Sequence, residues 1–330
     1  MGHVNVKVYH GYGHTHNLVL YGHVFRRQPP VQKQFTKRML VNIIHLLKLF
    51  FVQPIPRVKL RLKWDDQVLE TISEDDGFFK FEWESVRELS AGWHPVQVAY
   101  INEQGQEEGY GEGKVYVPHS TQYVFISDID DTVMVSYSAT KFRRLRELLT
   151  RNPRTRKQFE KVADWYQQLA YAQTNDATPN PFFYVSSSEW NLYDYLTEFF
   201  AYNKIPEGIF LLNQVKKWFQ LFQTGKTKHT GKLLRIARIL DAFPKQQFVL
   251  IGDNSQHDPD IYTAIAAKNP EKIFAIYIRN VRPGQEKYAR QTLAMAKEAG
   301  IHTFLFTGSG EAAEHARSIG LISEQPEPAQ

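Results

Sequence analysis

Hydrophobic and polar positions alternate through the first third of the chain. Val4, Val6 and Val8 are separated by polar residues. The same period of two recurs at Val58, Leu60, Leu62 and Trp64, at Phe79 and Phe81, at Val96, Val98 and Tyr100, and at Val115 and Val117. Successive side chains of a strand point to opposite faces, so these runs predict half-buried strands. Asp75-Asp76-Gly77, Ala91-Gly92 and Asn102-Glu103-Gln104-Gly105 supply turn chemistry between them. Short strands at this spacing predict a small β-sandwich-like domain over residues 1–118.

One segment inside it has a different period. Over residues 34–52, Arg38, Asn42, His45 and Lys48 recur at steps of three or four, and Met39, Leu40, Ile43, Ile44, Leu46, Leu47, Phe50 and Phe51 fill the remaining circumference. That is a helix with a wide apolar face and a narrow basic stripe, stopped by Pro54 and Pro56. Two roles fit: a helix buried against the other domain, or one lying at a membrane interface.

Pro118 and His119 mark a second change. Beyond them apolar runs at Tyr123 to Ile126, Phe182 to Val185, Ile209 to Leu212, Phe248 to Ile251, Ile273 to Ile278 and Thr303 to Phe306 alternate with helical patterns. This predicts an α/β domain over residues 119–330, built on a doubly wound, mostly parallel sheet. Residues 139–174 read as a basic helical insert, with Lys141, Arg143, Arg144, Arg146, Arg151, Arg154, Arg156, Lys157 and Lys161 opposed by few acids. The insert is either a solvated face or an anion-attracting patch beside the active strand. It lacks interleaved aromatics and base-reading motifs, so no nucleic-acid partner is expected.

Composition adds bounds rather than direction. The 330 residues are 42 % hydrophobic, enough for a sizeable core. The absence of cysteine removes disulfides, thiolate metal sites and cysteine nucleophiles. Net charge is +5, a mild basic excess. With no apolar leader and no clean membrane span, the expectation is a cytoplasmic protein, with peripheral association at a membrane as an open option. His10, His14 and His16 lie among Gly and Tyr with no carboxylate between them, which reads as loop rather than metal site.

The chemistry gathers at strand ends. The run through Ile126 breaks into Asp128, Asp130 and Asp131, and ligands of open α/β sheets collect beyond such carboxyl ends. Carboxylates two residues apart suit one that attacks and one that handles protons, and their charge calls for a hard divalent cation, Mg²⁺ above all. Three further blocks follow in order: Ser186, Ser187 and Ser188 after the run at 182–185; a lysine among Lys226, Lys228 and Lys232; and Gly252, Asp253, His257 and Asp258 after the run at 248–251. A P-loop is excluded, because position 220 is Gln and Leu233 follows Lys232.

Asp128-Ile-Asp130-Asp-Thr132, Tyr184-Val-Ser-Ser-Ser188 with Trp190 close behind, and the stretch from Ile251 to Tyr262 resemble the phosphatidate phosphatase catalytic-domain family of the actin-patch-protein type, within the haloacid-dehalogenase-like superfamily. The resemblance covers roughly residues 122–281. It implies a Mg²⁺-dependent phosphatase of a lipid phosphate, releasing diacylglycerol and phosphate through an aspartyl phosphate. Asp128 is then the nucleophile, Asp130 the acid and base, and Thr132 the residue that orients their loop. Ser186 and Lys232 act on the phosphoryl group. The metal ligands are Asp128, Asp130 through its carbonyl, Asp253 and Asp258. Lys232 is favoured over Lys226 and Lys228 because an apolar helix follows it. Ser187, Lys228 and His257 are candidates for substrate contact, and the aromatics Trp190, Tyr193, Tyr195, Trp218, Phe219 and Phe222 fit either core packing, the commoner use of aromatics at helical spacing, or an apolar entrance. The alternatives are a phosphatase of a soluble phosphate ester and a non-catalytic module that binds lipid or protein.

Overall fold

The computed structural model describes residues 4–27, 35, 38–119, 123–136, 151–174, 178–215 and 228–323. The chain divides into two compact units: Met1–His119 with Ser188–Asp194 and Leu212–Thr224, and Ser120–Ser187 with Tyr195–Leu211 and Gly225–Gln330.

In the first unit the predicted alternation becomes burial. Along β4 (Lys59–Trp64), Leu60, Leu62 and Trp64 point inward while Lys59 and Lys63 face solvent. The other strands are β1 (Asn5–Val8), β2 (Gly11–His14), β3 (Asn17–Phe25), β5 (Gln67–Ile72), β6 (Phe78–Trp83), β7 (Gly92–Ile101) and β8 (Glu107–Val117). They join in one eight-stranded mixed sheet, ordered β1-β3-β2-β8-β7-β4-β5 with β6 on β3. Most neighbours are antiparallel, and β2 runs parallel to β8. Two limbs of this sheet share one core. Val6, Leu20 and Phe81 from one limb cluster with Leu62, Val98 and Val115 from the other.

Helix α1 (Met39–Phe50) is shorter than the predicted 34–52. Its buried face carries Asn42, Leu46 and Phe50, and the Leu49 carbonyl accepts a bond from Asn191 Nδ2 at 2.9 Å. Trp190, from a 3-10 turn of the same unit, stacks on Tyr9 with ring centroids 4.1 Å apart. Trp190, Tyr193 and Tyr195 are therefore core residues rather than an entrance, while Trp218, Phe219 and Phe222 lie outside the described residues.

The second unit contains β9 (Tyr123–Ser127), α2 (Val162–Ala170), β10 (Phe182–Glu189), α3 (Tyr193–Tyr202), β11 (Ile209–Asn213), α4 (Lys228–Ala242), β12 (Gln247–Asp253), α5 (Asp258–Lys268), β13 (Ile273–Arg279), α6 (Glu286–Glu298), β14 (His302–Phe306) and α7 (Ser309–Ser318). The sheet order is β11-β10-β9-β12-β13-β14, and the pairs from β10 to β14 are parallel. Strands buried on both faces read as continuous apolar runs, which explains why these were visible in the sequence. The chain winds outward from β9 to β11, returns to β12 beside β9, then winds outward to β14. This reversal leaves a crevice at the carboxyl ends of β9 and β12.

Two expectations shift. The strand beginning at Phe182 runs on through Ser186, Ser187 and Ser188 instead of ending before them. Of the basic insert, Lys141, Arg143, Arg144 and Arg146 lie outside the described residues. The remainder is a turn over 152–155 followed by α2, whose Trp165 packs edge-on against Tyr277 and Phe306.

Candidate active site

Asp128 is the first residue past β9, and its N–H donates to the Ile251 carbonyl of β12 at 2.8 Å. The chain then turns sharply. The amides of Val133 and Met134 both donate to the Ile129 carbonyl, at 3.0 and 3.1 Å. Asp131 sits at φ +64°, a left-handed conformation that Asp tolerates better than most residues. Its Oδ1 accepts the Ser136 amide at 2.8 Å, which ties the turn closed. The turn brings Thr132 Oγ1 back to 3.5 Å from Asp128 Oδ2 and 3.4 Å from Asp253 Oδ2.

β12 and α5 supply the opposing carboxylates. Asp258 lies in the first turn of α5, where the helix dipole favours negative charge. The Asp253 amide donates to its Oδ2 at 3.3 Å. Gly252 makes this approach possible. A Cβ at that position would lie 2.4 Å from Asp258 Oδ2 and 2.8 Å from both Asp258 Cβ and the Tyr262 ring. Gly252→Ala is therefore expected to destabilise the unit by about 1–3 kcal/mol, an overpacking cost, read as a lower thermal unfolding temperature. An unchanged transition would show that α5 shifts freely.

Lys232, on α4, is buried between two of these groups. Its Nζ donates to Asp128 Oδ1 at 2.8 Å and Asp258 Oδ1 at 2.5 Å. Burial alone would lower the ammonium's pKa, but the charges of Asp128 and Asp258 outweigh it and hold it above the ordinary lysine value. Ser186 Oγ donates to Asp130 Oδ2 at 3.3 Å. Ser187 lines a recess with Asp128, Lys232, Arg235, Gln256, His257, Asp258 and Ile261. His257 is largely exposed, with Nδ1 3.5 Å from Asp260 Oδ2. Lys226 and the side chain of Lys228 lie outside the described residues. The structure thus gathers Asp128, Asp130, Thr132, Ser186, Lys232, Asp253 and Asp258, and places Ser187 and His257 at the rim.

Asp128, Asp253 and Asp258 each offer an oxygen, and the three lie within 4.8 Å of one another. All are buried. Burial pushes the Asp253 carboxyl up to about 8, helped by the Asp258 charge. Burial also holds Asp128 well above the carboxylate range. Lys232 opposes that shift, and the charges of Asp258, Asp253 and Asp130 add to it. One lysine does not balance this cluster, so its donor set suits a hard divalent cation. Of His10, His14 and His16, expected in a loop, His14 closes strand β2, and its Nδ1 accepts the His16 amide at 3.2 Å.

Arg279, at the end of β13, was not anticipated from the sequence. It is 1 % exposed, its Nε donates to the Thr132 carbonyl at 3.0 Å, and its Nη2 donates to Ser309 Oγ at 2.9 Å. The guanidinium lies 4.2 Å from the Phe159 ring centroid and 4.7 Å from that of Phe306. Burial lowers its pKa to about 10, so it remains charged at neutral pH. It pins the turn that carries Asp130 and Thr132. A charge directly after the apolar run at 273–278 was its signal, the same signal that marked Asp128.

Residues 123–280 match the family described as the phosphatidate phosphatase APP1 catalytic domain. Among curated relatives, phosphatidate phosphatase APP1 of Saccharomyces cerevisiae is 35 % identical over 155 residues, 47 % of this chain and 25 % of its own. An uncharacterised protein of Schizosaccharomyces pombe is 33 % identical over 159 residues, again 47 % of this chain and 25 % of its own. The chain thus matches about a quarter of the length of these relatives. A carbohydrate acetylesterase from Xanthomonas citri aligns over 94 % of this chain and 72 % of its own, at 8 % identity and a TM-score of 0.33.

Proposed function

We propose that the chain is a Mg²⁺-dependent phosphatase of haloacid-dehalogenase-like type that hydrolyses phosphatidate to diacylglycerol and phosphate. The observation that carries the chemistry is the placement of Asp128, with Lys232 and the Asp253–Asp258 pair around it, at the switch point of a parallel sheet. The substrate class rests on the family and on the relative from Saccharomyces cerevisiae.

In this reading Asp128 attacks phosphorus. Its carboxylate oxygen forms a bond to phosphorus as the bond to the diacylglycerol oxygen breaks, leaving an aspartyl phosphate. Asp130 gives its proton to the departing oxygen, then takes one from the water that releases phosphate. Ser186, beside Asp130, donates to a phosphoryl oxygen, and the Lys232 ammonium offsets charge that develops there. Thr132 and Arg279 hold the turn so that both carboxylates keep their aim. The ligands for Mg²⁺ would be Asp128, the Asp130 carbonyl, Asp253 and Asp258, and the bound metal stabilises negative charge on the phosphoryl group.

The carboxyl shifts give a test of the metal that does not depend on turnover. Asp253 is raised in the folded state from 3.8 to about 8, so the folded chain keeps a proton that the unfolded chain has released. Its contribution is therefore most favourable below the unfolded value and is lost as pH rises toward 8. In chelator the unfolding temperature is expected to fall between about pH 5 and pH 8, and Mg²⁺ is expected to restore it. Superimposable curves with and without Mg²⁺ would remove the metal from the site.

A phosphatase of a soluble ester is the second reading. It is favoured by the recess itself, where Ser187, Arg235, Gln256 and His257 are polar and Ile261 is the only apolar lining residue among those described. Phosphate release from phosphatidate in mixed micelles, set against a panel of soluble esters, separates the two. Preference for phosphatidate supports the first reading; preference for a soluble ester keeps the mechanism and replaces the substrate.

A further inference from the structure

We propose that α1 is an interfacial helix that seats the protein on an anionic lipid surface. The inference stands on the first unit alone and goes beyond the phosphatase chemistry. Opposite its buried face, α1 and the residue after it expose Leu40 at 70 %, Phe51 at 60 % and Ile44 at 53 %, and Met39 is exposed at 52 % where the helix begins. Large apolar side chains grouped this way mark a surface that meets something.

Charge identifies what it meets. No Asp or Glu stands before Asp65, whereas the first 64 residues carry eleven Lys and Arg. Lys7, Arg57, Lys59, Arg61 and Lys63 find carboxylates elsewhere in the unit, in Asp194, Asp75, Glu70 and Glu107. Of the others, Arg26 meets the chain just after α1, its amide donating to the Gln53 carbonyl at 2.8 Å, with Arg27 next to it, and Lys48 lies in the last turn of the helix. Arg26, Arg27 and Lys48 are exposed and form no ion pair among the described residues. An exposed apolar strip bordered by uncompensated cations is complementary to headgroup phosphates over acyl chains.

Other occupants fit less well. A helix of twelve residues is about 18 Å long, short of a hydrocarbon core of about 30 Å, so it lies on the surface and does not cross it. One face of such a helix also falls short of the roughly 800 Å² per partner that a stable protein interface buries. Apolar insertion together with headgroup charge needs no such area.

The test is co-sedimentation of the full chain with phosphatidylcholine vesicles, with and without phosphatidylglycerol. Neither lipid is a phosphomonoester, so failure of the proposed enzymatic reading leaves this result legible. Binding is expected only with phosphatidylglycerol. Leu40→Glu with Ile44→Glu is expected to weaken it at least about tenfold, and each of Arg26→Gln, Arg27→Gln and Lys48→Gln about fivefold. Hydrolysis of a water-soluble phosphate ester should stay unchanged in all of them. Leu40→Ser with Ile44→Ser provides the same contrast should the glutamates disturb folding. The proposal is overturned if the chain ignores anionic vesicles, if the apolar variants bind as the parent does, or if the variants abolish self-association of a chain that binds no vesicle.

Discussion

Replacing Asp128 by Asn is expected to cut phosphate release at least about 10³-fold while moving the unfolding temperature by no more than a few degrees. The amide matches the carboxylate in shape but is a poor nucleophile. Stability changes little because two electrostatic effects oppose each other. The variant loses the charge, though not an acceptor oxygen, opposite the Lys232 ammonium 2.8 Å away. It also relieves repulsion, since Asp128 is buried beside Asp130, Asp253 and Asp258, and their charges and its burial already hold its carboxyl well above the ordinary range. The measurement is single-turnover phosphate release beside thermal unfolding, both with Mg²⁺. Release at the parental rate from a folded Asp128→Asn variant would assign the attacking group elsewhere. Asp130 is the first alternative, because it is the neighbouring carboxylate that faces Ser186.

Much of this site was legible because charge interrupts apolar runs at strand ends. Asp128 after β9 and Asp253 at the end of β12 stand out for the same reason, since a buried strand that ends in a carboxylate has little packing reason to do so. The two meet because β9 and β12 are neighbours despite lying more than a hundred residues apart, a consequence of sheet winding that local patterns do not encode. For the same reason the strand order of the first unit was not legible. Strand periodicity shows which face is buried, but the parallel pairing of β2 with β8 is long-range, and it joins the two limbs in one sheet. Ser186 to Ser188 were placed after the strand because the apolar run stops at Val185, yet they continue β10 as its side chains meet the site. Arg279 escaped because a single arginine after a strand is ordinary in sequence. Its meaning comes from Thr132, Phe159 and Ser309, which three separate segments bring to it.

Lys232→Met is expected to lower turnover at least about 10²-fold and, in chelator, to cost about 3–5 kcal/mol of stability. Methionine keeps the length of the side chain and removes the ammonium. Asp128 Oδ1 and Asp258 Oδ1, now 2.8 and 2.5 Å from Nζ, then lose their shared cation in a site where all three side chains are almost wholly buried. Breaking such a pair from one side leaves uncompensated charge, which is more destabilising than never having built it. Burial already lets Asp253 keep its proton up to about pH 8 and holds Asp128 above the ordinary carboxylate range. The penalty should therefore be small near pH 5 and grow toward pH 8, where the folded chain must release these protons. Mg²⁺ is expected to recover stability more than turnover, since a cation among Asp128, Asp253 and Asp258 replaces the missing charge but not the donor to the phosphoryl oxygen. Arginine should not rescue the rate, because a planar guanidinium does not fit between Asp128 and Asp258 without displacing α4. Denaturant unfolding across pH, with chelator or Mg²⁺, beside single-turnover release, reads all three effects. A near-parental rate in the Met variant would make Lys232 a structural counter-charge and pass the phosphoryl contact to Lys226 or Lys228, the two other lysines that the sequence offers.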